Sequence, residues 1–219
     1  TPAPGTPPNP WGDRDWTTYY TAVAGKGPRE TLLAALALAS GPGATPPHSL
    51  LPAIDLGAGE GRDTLELLRR GYRVLALDPH PDALRRIRAA VPPGAPLTLV
   101  ETGSEHLADA LAAHPAFRHA ALINASFSLP FIHPARFPAA WAAIRDALAP
   151  AALFSGQFFG PEDSWAPIPG RSHHTREQVH QFLSGLTLHQ FEESKKPGHD
   201  AEGNPKIWHV FHVVAQNRP

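Results

Sequence analysis

The chain contains no cysteine and no methionine in its 219 residues. Without a thiol, disulfides, thiolate metal centres and a cysteine nucleophile are all excluded. The missing methionine has no physical reading. Charge of one sign is also lacking: 19 Lys and Arg stand against 20 Asp and Glu. That balance provides no broad attraction to nucleic acid or to an anionic membrane surface, so neither is an expected partner, and the expected substrate is small. No run approaches eighteen apolar residues and no signal-peptide pattern is visible. The expected location is therefore the cytoplasm. What is present is 42% hydrophobic and 18% charged residues, a composition and length suited to a single α/β domain with a substantial core.

The densest local signal is Leu51-Pro52-Ala53-Ile54-Asp55-Leu56-Gly57-Ala58-Gly59-Glu60-Gly61-Arg62-Asp63-Thr64. It reads as an apolar strand, a glycine turn and the start of a helix. Such a turn brings bare backbone close to a ligand. The dinucleotide fingerprint places its third glycine three residues after the second, whereas Gly57, Gly59 and Gly61 are evenly spaced. Asp55 lies inside the approach. A carboxylate there would repel a pyrophosphate and attract the ammonium of S-adenosylmethionine (SAM) by a charge-assisted hydrogen bond. Downstream, Tyr72 to Leu77 forms a second apolar strand ending in Asp78, twenty-three residues after Asp55. Strand, turn, helix, strand and acid make a right-handed βαβ unit with its ligand at the carboxyl ends of the strands. Asp78 alone does not separate SAM from NAD; Asp55 and the glycine spacing favour SAM. The plain alternative is a glycine turn that serves only packing.

Elsewhere, Thr1 to Pro10 carries five prolines and no period, which predicts a mobile tail ahead of one domain at 11–219. Two helices are predicted before the sheet, one carrying Trp16, Tyr19, Tyr20 and Val23 and one at Arg29 to Ala39. A Pro/Gly linker follows at Ser40 to Ser49. Further helices are predicted at Pro81 to Ala90, Ser104 to Ala113, Phe137 to Leu148 and Thr175 to Ser184. Strands are predicted at Leu97 to Glu101, Ala120 to Asn124, Ala151 to Phe159, Leu186 to Glu193 and Ile207 to Ala215. The alternation implies a parallel sheet, and the last two strands, joined without a helix, an antiparallel finish.

These features resemble the class I SAM-dependent methyltransferases, over Trp11 to Ala215. More narrowly, Ile123 to Phe131, Ser155 to Gly160 and Pro205 to His212 look like the bacterial branch related to tellurite-resistance methyltransferases. The resemblance implies a Rossmann-like seven-stranded, mostly parallel sheet with an antiparallel C-terminal hairpin and two N-terminal helices over the cofactor edge. It assigns Asp55 and the turn of Gly57, Gly59 and Gly61 to the methionyl part of SAM, Asp78 to the ribose, and Ser104 and Glu105 to the adenine. Asn124 ends the fourth strand where many relatives carry an acid, and there an amide can orient a ligand. Arg62, opening the helix after the turn, is a candidate for the cofactor carboxylate, with an exposed surface arginine as the alternative.

Methyl transfer is an in-line displacement, so positioning can supply much of the rate. An acceptor that loses a proton wants a base near neutral pKa, usually histidine; an oxyanion wants cations or N–H donors. Of thirteen histidines, His173 and His174 precede a helix on the expected substrate side, where with Arg171 and Arg176 they could gather an anion. The alternative is a solvated loop whose Thr175 caps that helix. His133, after the fourth strand, is a further candidate base, with an ordinary exposed loop histidine as the alternative. Tyr19 and Tyr20 could close over the cofactor, or simply dock their helix. Trp165 could wall the acceptor pocket, which Gln157 and Phe159 approach. His209 and His212, three apart on a strand, point to opposite faces and cannot share an ion. No metal is expected.

The functional expectation is transfer of a methyl group from SAM to a small molecule, such as a chalcogen oxyanion, a thiol or a small metabolite. A SAM-binding sensor is the alternative, and an NAD-linked oxidoreductase a third reading that Asp55 opposes. Oligomeric state is not legible.

Overall fold

The computed structural model describes residues 25–40, 50–201 and 203–218. The proline-rich tail at 1–10, the helix of Trp16, Tyr19 and Tyr20, and most of the 40–49 linker lie outside the described residues.

Helix α1 is Glu30–Ala39; then come β1 (Pro52–Leu56), α2 (Arg62–Arg69), β2 (Arg73–Asp78), α3 (Pro81–Ala90) and β3 (Leu97–Glu101). They are followed by α4 (Leu107–Ala113), β4 (Ala120–Ala125), α5 (Phe137–Ala147), β5 (Leu148–Phe159), α6 (Arg176–Phe182), β6 (Thr187–His199) and β7 (Pro205–Gln216). The seven strands form one sheet in the order β3-β2-β1-β4-β5-β7-β6. β1 to β5 pair in parallel, and β7 runs antiparallel to both β5 and β6. This is the doubly wound arrangement in which the order reverses beside β1, the usual place for a ligand crevice.

The alternation of side chains along each strand divides the core. Ala53, Val74, Ala76, Leu122, Leu153 and Val214 face one side and pack with Leu32, Ala35 and Leu36 of α1, Leu67 of α2 and Ile87 of α3. Ile54, Leu75, Leu77, Ile123, Phe154 and Val213 face the other and pack with Leu107 and Leu111 of α4, Trp141 and Ile144 of α5 and Val179 of α6. Both faces are covered, which is why the central strands read as nearly unbroken apolar runs.

Three boundaries differ from expectation. The segment at 104–113 opens as a 3-10 turn, Ser104–His106, before α4 begins. The helix at 137–148 ends at Ala147 and passes straight into β5. The final strands are longer than predicted, because Pro197 and Gly198 argued for a loop yet stand inside β6, paired with Ile207 and Lys206. β6 is an edge strand, where proline's missing donor is tolerated. Helix α1 lies across the sheet face, with Thr31 bonded to Gln157 of β5, and its leading residues Lys26 and Arg29 reach the crevice. Only that end approaches the cofactor edge.

Candidate active site

A cavity of about 440 Å³ opens at the carboxyl ends of β1 and β2 and runs toward the hairpin of β6 and β7. Strand register sets which side chains reach it and which lie beneath its floor. Asp55 is level with Asn124, Asn124 with Ser155, and Ser155 with Val214. Two residues further along β5, Gln157 is level with His212. All of these side chains emerge on the α1–α3 face, so the apolar core of that face gives way to a polar row where the strands end.

At the β1 end, the turn is held by its own glycines. Gly57 sits at φ 67 and Gly61 at φ 93. A Cβ on Gly57 would stand 2.4 Å from Ser128 Cβ, and one on Gly61 2.6 Å from Ile87 Cγ1, so both positions demand glycine for conformation and for space. Four of the turn's N–H groups are already committed. Gly57 and Ala58 donate to Leu77 O at 2.8 and 2.9 Å, Gly61 donates to Ala58 O at 3.0 Å, and Gly59 donates to Asp78 Oδ2 at 2.9 Å. A pyrophosphate would need those donors; here they are spent and carboxylates face the space instead.

Asp55 is buried, accepting from Thr64 Oγ1 at 2.6 Å and from Asn124 Nδ2 at 2.9 Å. Burial, with the neighbouring Asp63 carboxylate next in weight, raises its pKa to about 7. Asn124 also donates to Asp63 Oδ2 at 3.0 Å, and its own carbonyl oxygen accepts from Ser155 Oγ at 2.8 Å. An amide is therefore the group that lets two buried carboxylates stand side by side. An acid in its place would add a third negative charge. Asp63 completes the bracket by accepting from the backbone N–H of Arg29 at 2.9 Å, tying the lead-in of α1 to α2. Asp78 accepts from Gly59 and, through Oδ1, from His80 N at 2.9 Å. Each carboxylate oxygen retains acceptor capacity toward a ligand.

At the other end the lining is aromatic. Phe127, Phe131, Phe159, Trp165 and Trp208 wall the cavity. Phe127 has its backbone in the left-handed region, φ 55, an uncommon place for a bulky residue. It is kept there by Gln157, whose Oε1 accepts its N–H at 2.9 Å. Arg29 lies over the Phe127 ring, 4.4 Å from the centroid. Behind the two tryptophans sits Lys206, buried and ion-paired with Asp163. Its ammonium is 4.0 Å from the Trp165 ring centre and 4.3 Å from that of Trp208. Arg171 lies 4.1 Å from the Trp165 centre as well. These cations fix the rings in place.

The expected cofactor residues Asp55, Gly57, Gly59, Arg62, Asp78 and Ser104 all line the cavity. Gly61 caps α2 behind the turn. Arg62 is half-buried, 3.9 Å from the Glu60 carboxylate. Glu105 turns its carboxylate back toward Gly103 and is absent from the lining, as is Asn124, which works beneath the floor. Tyr20 lies outside the described residues. Of the expected acceptor residues, Trp165 is in the wall, whereas Gln157 is buried, holding Phe127 and Thr31. Arg171, His173 and His174 line a separate small depression with Phe137 and Phe182. His174 packs 4.3 Å from the Phe137 ring on the opposite face of the sheet, and burial lowers its pKa to about 4. His173 stands 3.9 Å from Asp163. His133 is exposed, its Nδ1 accepting from Ala135 N at 3.2 Å. None of the three histidines lines the cavity: beyond Trp165 the chain carries His173 and His174 toward α5 and α6, and His133 stands in the exposed loop after β4. His209 and His212 do face opposite sides: His209 bonds Glu193 at 2.8 Å and packs on Phe211, while His212 lines the cavity. Among the described residues there is no cluster of three or more metal-ligating side chains.

Sequence reasoning missed Asp63, Phe127, Lys196, Trp208 and His212. Period-two counting back from Val214 along β7 would have placed His212 and Trp208 on the cavity face; the others follow only from tertiary contacts.

Residues 53–151 match the family described as a methyltransferase domain. A stretch of 48 residues is 50% identical to uncharacterized methyltransferases of Mycobacterium tuberculosis and Mycobacterium bovis, covering 20% of this chain and 20% of each relative. The match thus spans about a fifth of the length of those curated relatives. Among solved structures, TehB from Haemophilus influenzae superposes with TM-score 0.66 at 13% identity, over 87% of this chain and 62% of that one. A 1,6-didemethyltoxoflavin-N1-methyltransferase from Burkholderia thailandensis, solved with S-adenosylhomocysteine, gives 0.62 at 19% identity over 94% and 82%. The N-methyltransferase NodS from Bradyrhizobium japonicum gives 0.61 at 16% over 86% and 93%. Residues 53–151 thus match a methyltransferase domain, and the chain has the fold of these solved methyltransferases.

Proposed function

We propose that this protein is a SAM-dependent methyltransferase acting on a small molecule within a single domain. The observation that carries the reading is the glycine turn, in which the N–H groups of Gly57, Ala58, Gly59 and Gly61 are bonded internally while the carboxylates of Asp55 and Asp78 face the cavity. Those acceptors suit a ligand with an ammonium and a diol and disfavour a diphosphate. Asp55 would hold the ammonium, Asp78 the ribose hydroxyls, Arg62 the carboxylate, and Ser104 the rim of the adenine. Bound there, SAM supplies a methyl carbon activated by its sulfonium.

The chain's own contribution is positioning. Asn124 and Thr64 orient Asp55, Asp78 clasps the turn, and the aromatic wall excludes water from the transfer path. A cavity of about 440 Å³ shared with the cofactor leaves room for a small acceptor rather than a macromolecule. Neutral overall charge supports the same reading. His173, His174 and His133 are not proposed as bases, since they stand apart from the cavity.

Calorimetric titration with SAM and S-adenosylhomocysteine, followed by assay of S-adenosylhomocysteine release over a panel of acceptors, tests the proposal. Saturable binding with turnover on some small acceptor is expected. Absence of binding would overturn it, and binding without turnover on any acceptor would favour the sensor.

A further inference from the structure

The aromatic half of the cavity is not explained by the cofactor. Its rings support one another: Phe127, Phe159 and Trp208 meet edge to face, with centroids 5.7 to 6.2 Å apart. Lys206, paired with Asp163, braces Trp165 and Trp208 from behind. Gln157 pins Phe127 in its strained conformation. A rigid slot of ring faces and edges suits a flat unsaturated molecule, because stacking is gained with little ordering cost. It is poorly suited to a hydrated oxyanion, which would have to exchange water for hydrocarbon.

Facing this slot from β7 is His212. Its Nε2 lies 3.2 Å from Ser194 Oγ, and its ring centre lies 6.2 Å from that of Phe127. His212 and Ser194 both line the cavity. Resting on the reading of the site as a SAM-dependent methyltransferase, we propose that the slot binds a planar aromatic acceptor with an ionisable N–H or O–H, and that His212 is the base that takes its proton. The acceptor lone pair forms the new bond to the methyl carbon as the carbon–sulfur bond breaks, its electron pair remaining on sulfur. The acceptor proton passes to the imidazole and from there to solvent.

Burial holds the His212 pKa below the ordinary histidine value, so the ring is neutral and able to accept a proton at neutral pH. The charged groups around it are Glu192 and Lys196 on β6 and Glu30 and Arg29 at the start of α1. Two carry each sign, and burial outweighs each of them.

The test uses the full chain saturated with S-adenosylhomocysteine and titrated with hydroxyquinolines, followed by tryptophan fluorescence and calorimetry, with tellurite and cyclohexanol as non-aromatic controls. Hydroxyquinolines should bind, the controls should not, and Trp208→Ala should weaken hydroxyquinoline binding at least tenfold with S-adenosylhomocysteine affinity unchanged. With SAM, His212→Asn should lower kcat about a hundredfold or more at little cost in KM. It should also replace the wild-type plateau at neutral pH by a rate that climbs with pH. Failure of hydroxyquinolines to bind the loaded protein, or equal binding to Trp208→Ala, would overturn the aromatic slot. Binding without methylation, or an unchanged rate and pH profile in His212→Asn, would overturn the base. Loss of S-adenosylhomocysteine binding in the wild type would instead overturn the underlying cofactor assignment.

Discussion

The two ends of the cavity are built from different materials. The β1–β2 end is made of backbone: a turn of left-handed glycines, amide groups bonded to one another, and carboxylates at strand ends. The β5–β7–β6 end is made of side chains: aromatic rings braced by buried or stacked cations, with a histidine among them. The first tolerates almost no change of residue type, because a single Cβ collides with its neighbours. The second can be rebuilt by exchanging one large ring for another. A shared cofactor and a variable acceptor would call for this division, since fold and cofactor geometry persist while the acceptor site is grafted on.

The largest expected effect is on pH dependence, where two buried groups, Asp55 at the β1 end of the cavity and His174 outside it, pull in opposite directions. Asp55, raised to about 7, keeps its proton longer in the folded state, so its contribution falls as pH climbs from the ordinary carboxylate range toward 7. His174, lowered to about 4, is protonated more readily when unfolded, so its contribution rises over pH 4 to 6.5, by about 3 kcal/mol. Urea unfolding of ligand-free protein between pH 4.5 and 7 checks both. Relative to wild type, Asp55→Asn should gain stability as pH rises, and His174→Phe should have an advantage at pH 4.5 that vanishes by pH 7. Parallel curves for all three proteins would remove both assignments.

Next in size, Asp78→Ala should cost about 2–3 kcal/mol of SAM affinity, roughly a hundredfold in Kd, with hydroxyquinoline fluorescence quenching affected much less. An equal loss at both ends would mean that they are one cooperative site. Gly57→Ala should then lower stability by about 2 kcal/mol, from its φ of 67 and the approach to Ser128, as a shift of the urea midpoint. A neutral Gly57→Ala would show that the turn is looser than drawn here. The smallest effect is expected for Gln157→Leu, about 1 kcal/mol of stability and a several-fold rise in acceptor KM. SAM affinity should not change, since Gln157 acts only through Phe127 and Thr31.

The same division decides what could be read from the sequence. The succession of strands and helices, the glycine turn and the positions of Asp55 and Asp78 were legible because their signals are local: apolar runs, a short glycine spacing, an acid at a strand end. Asn124 was legible as a position but not in its work, which depends on Asp63 reaching the same amide from α2. On the acceptor side, His173 and His174 drew attention by adjacency in sequence. The path of the chain after β5 then places His174 on the other face, against Phe137 and Phe158. The hairpin tip was obscured by Pro197 and Gly198, whose edge-strand setting no local pattern reveals. Without the extension of β6, Lys196 could not be placed at the cavity at all.

The central claim is that the β1–β2 end receives a cationic nucleoside rather than a dinucleotide. Parallel calorimetric titrations of the full chain with S-adenosylhomocysteine and with NADH test it most directly. The account predicts a single saturable site for S-adenosylhomocysteine, weakened roughly a hundredfold in Asp78→Ala, and no heat of binding from NADH. Saturable NADH binding with none for S-adenosylhomocysteine would contradict it.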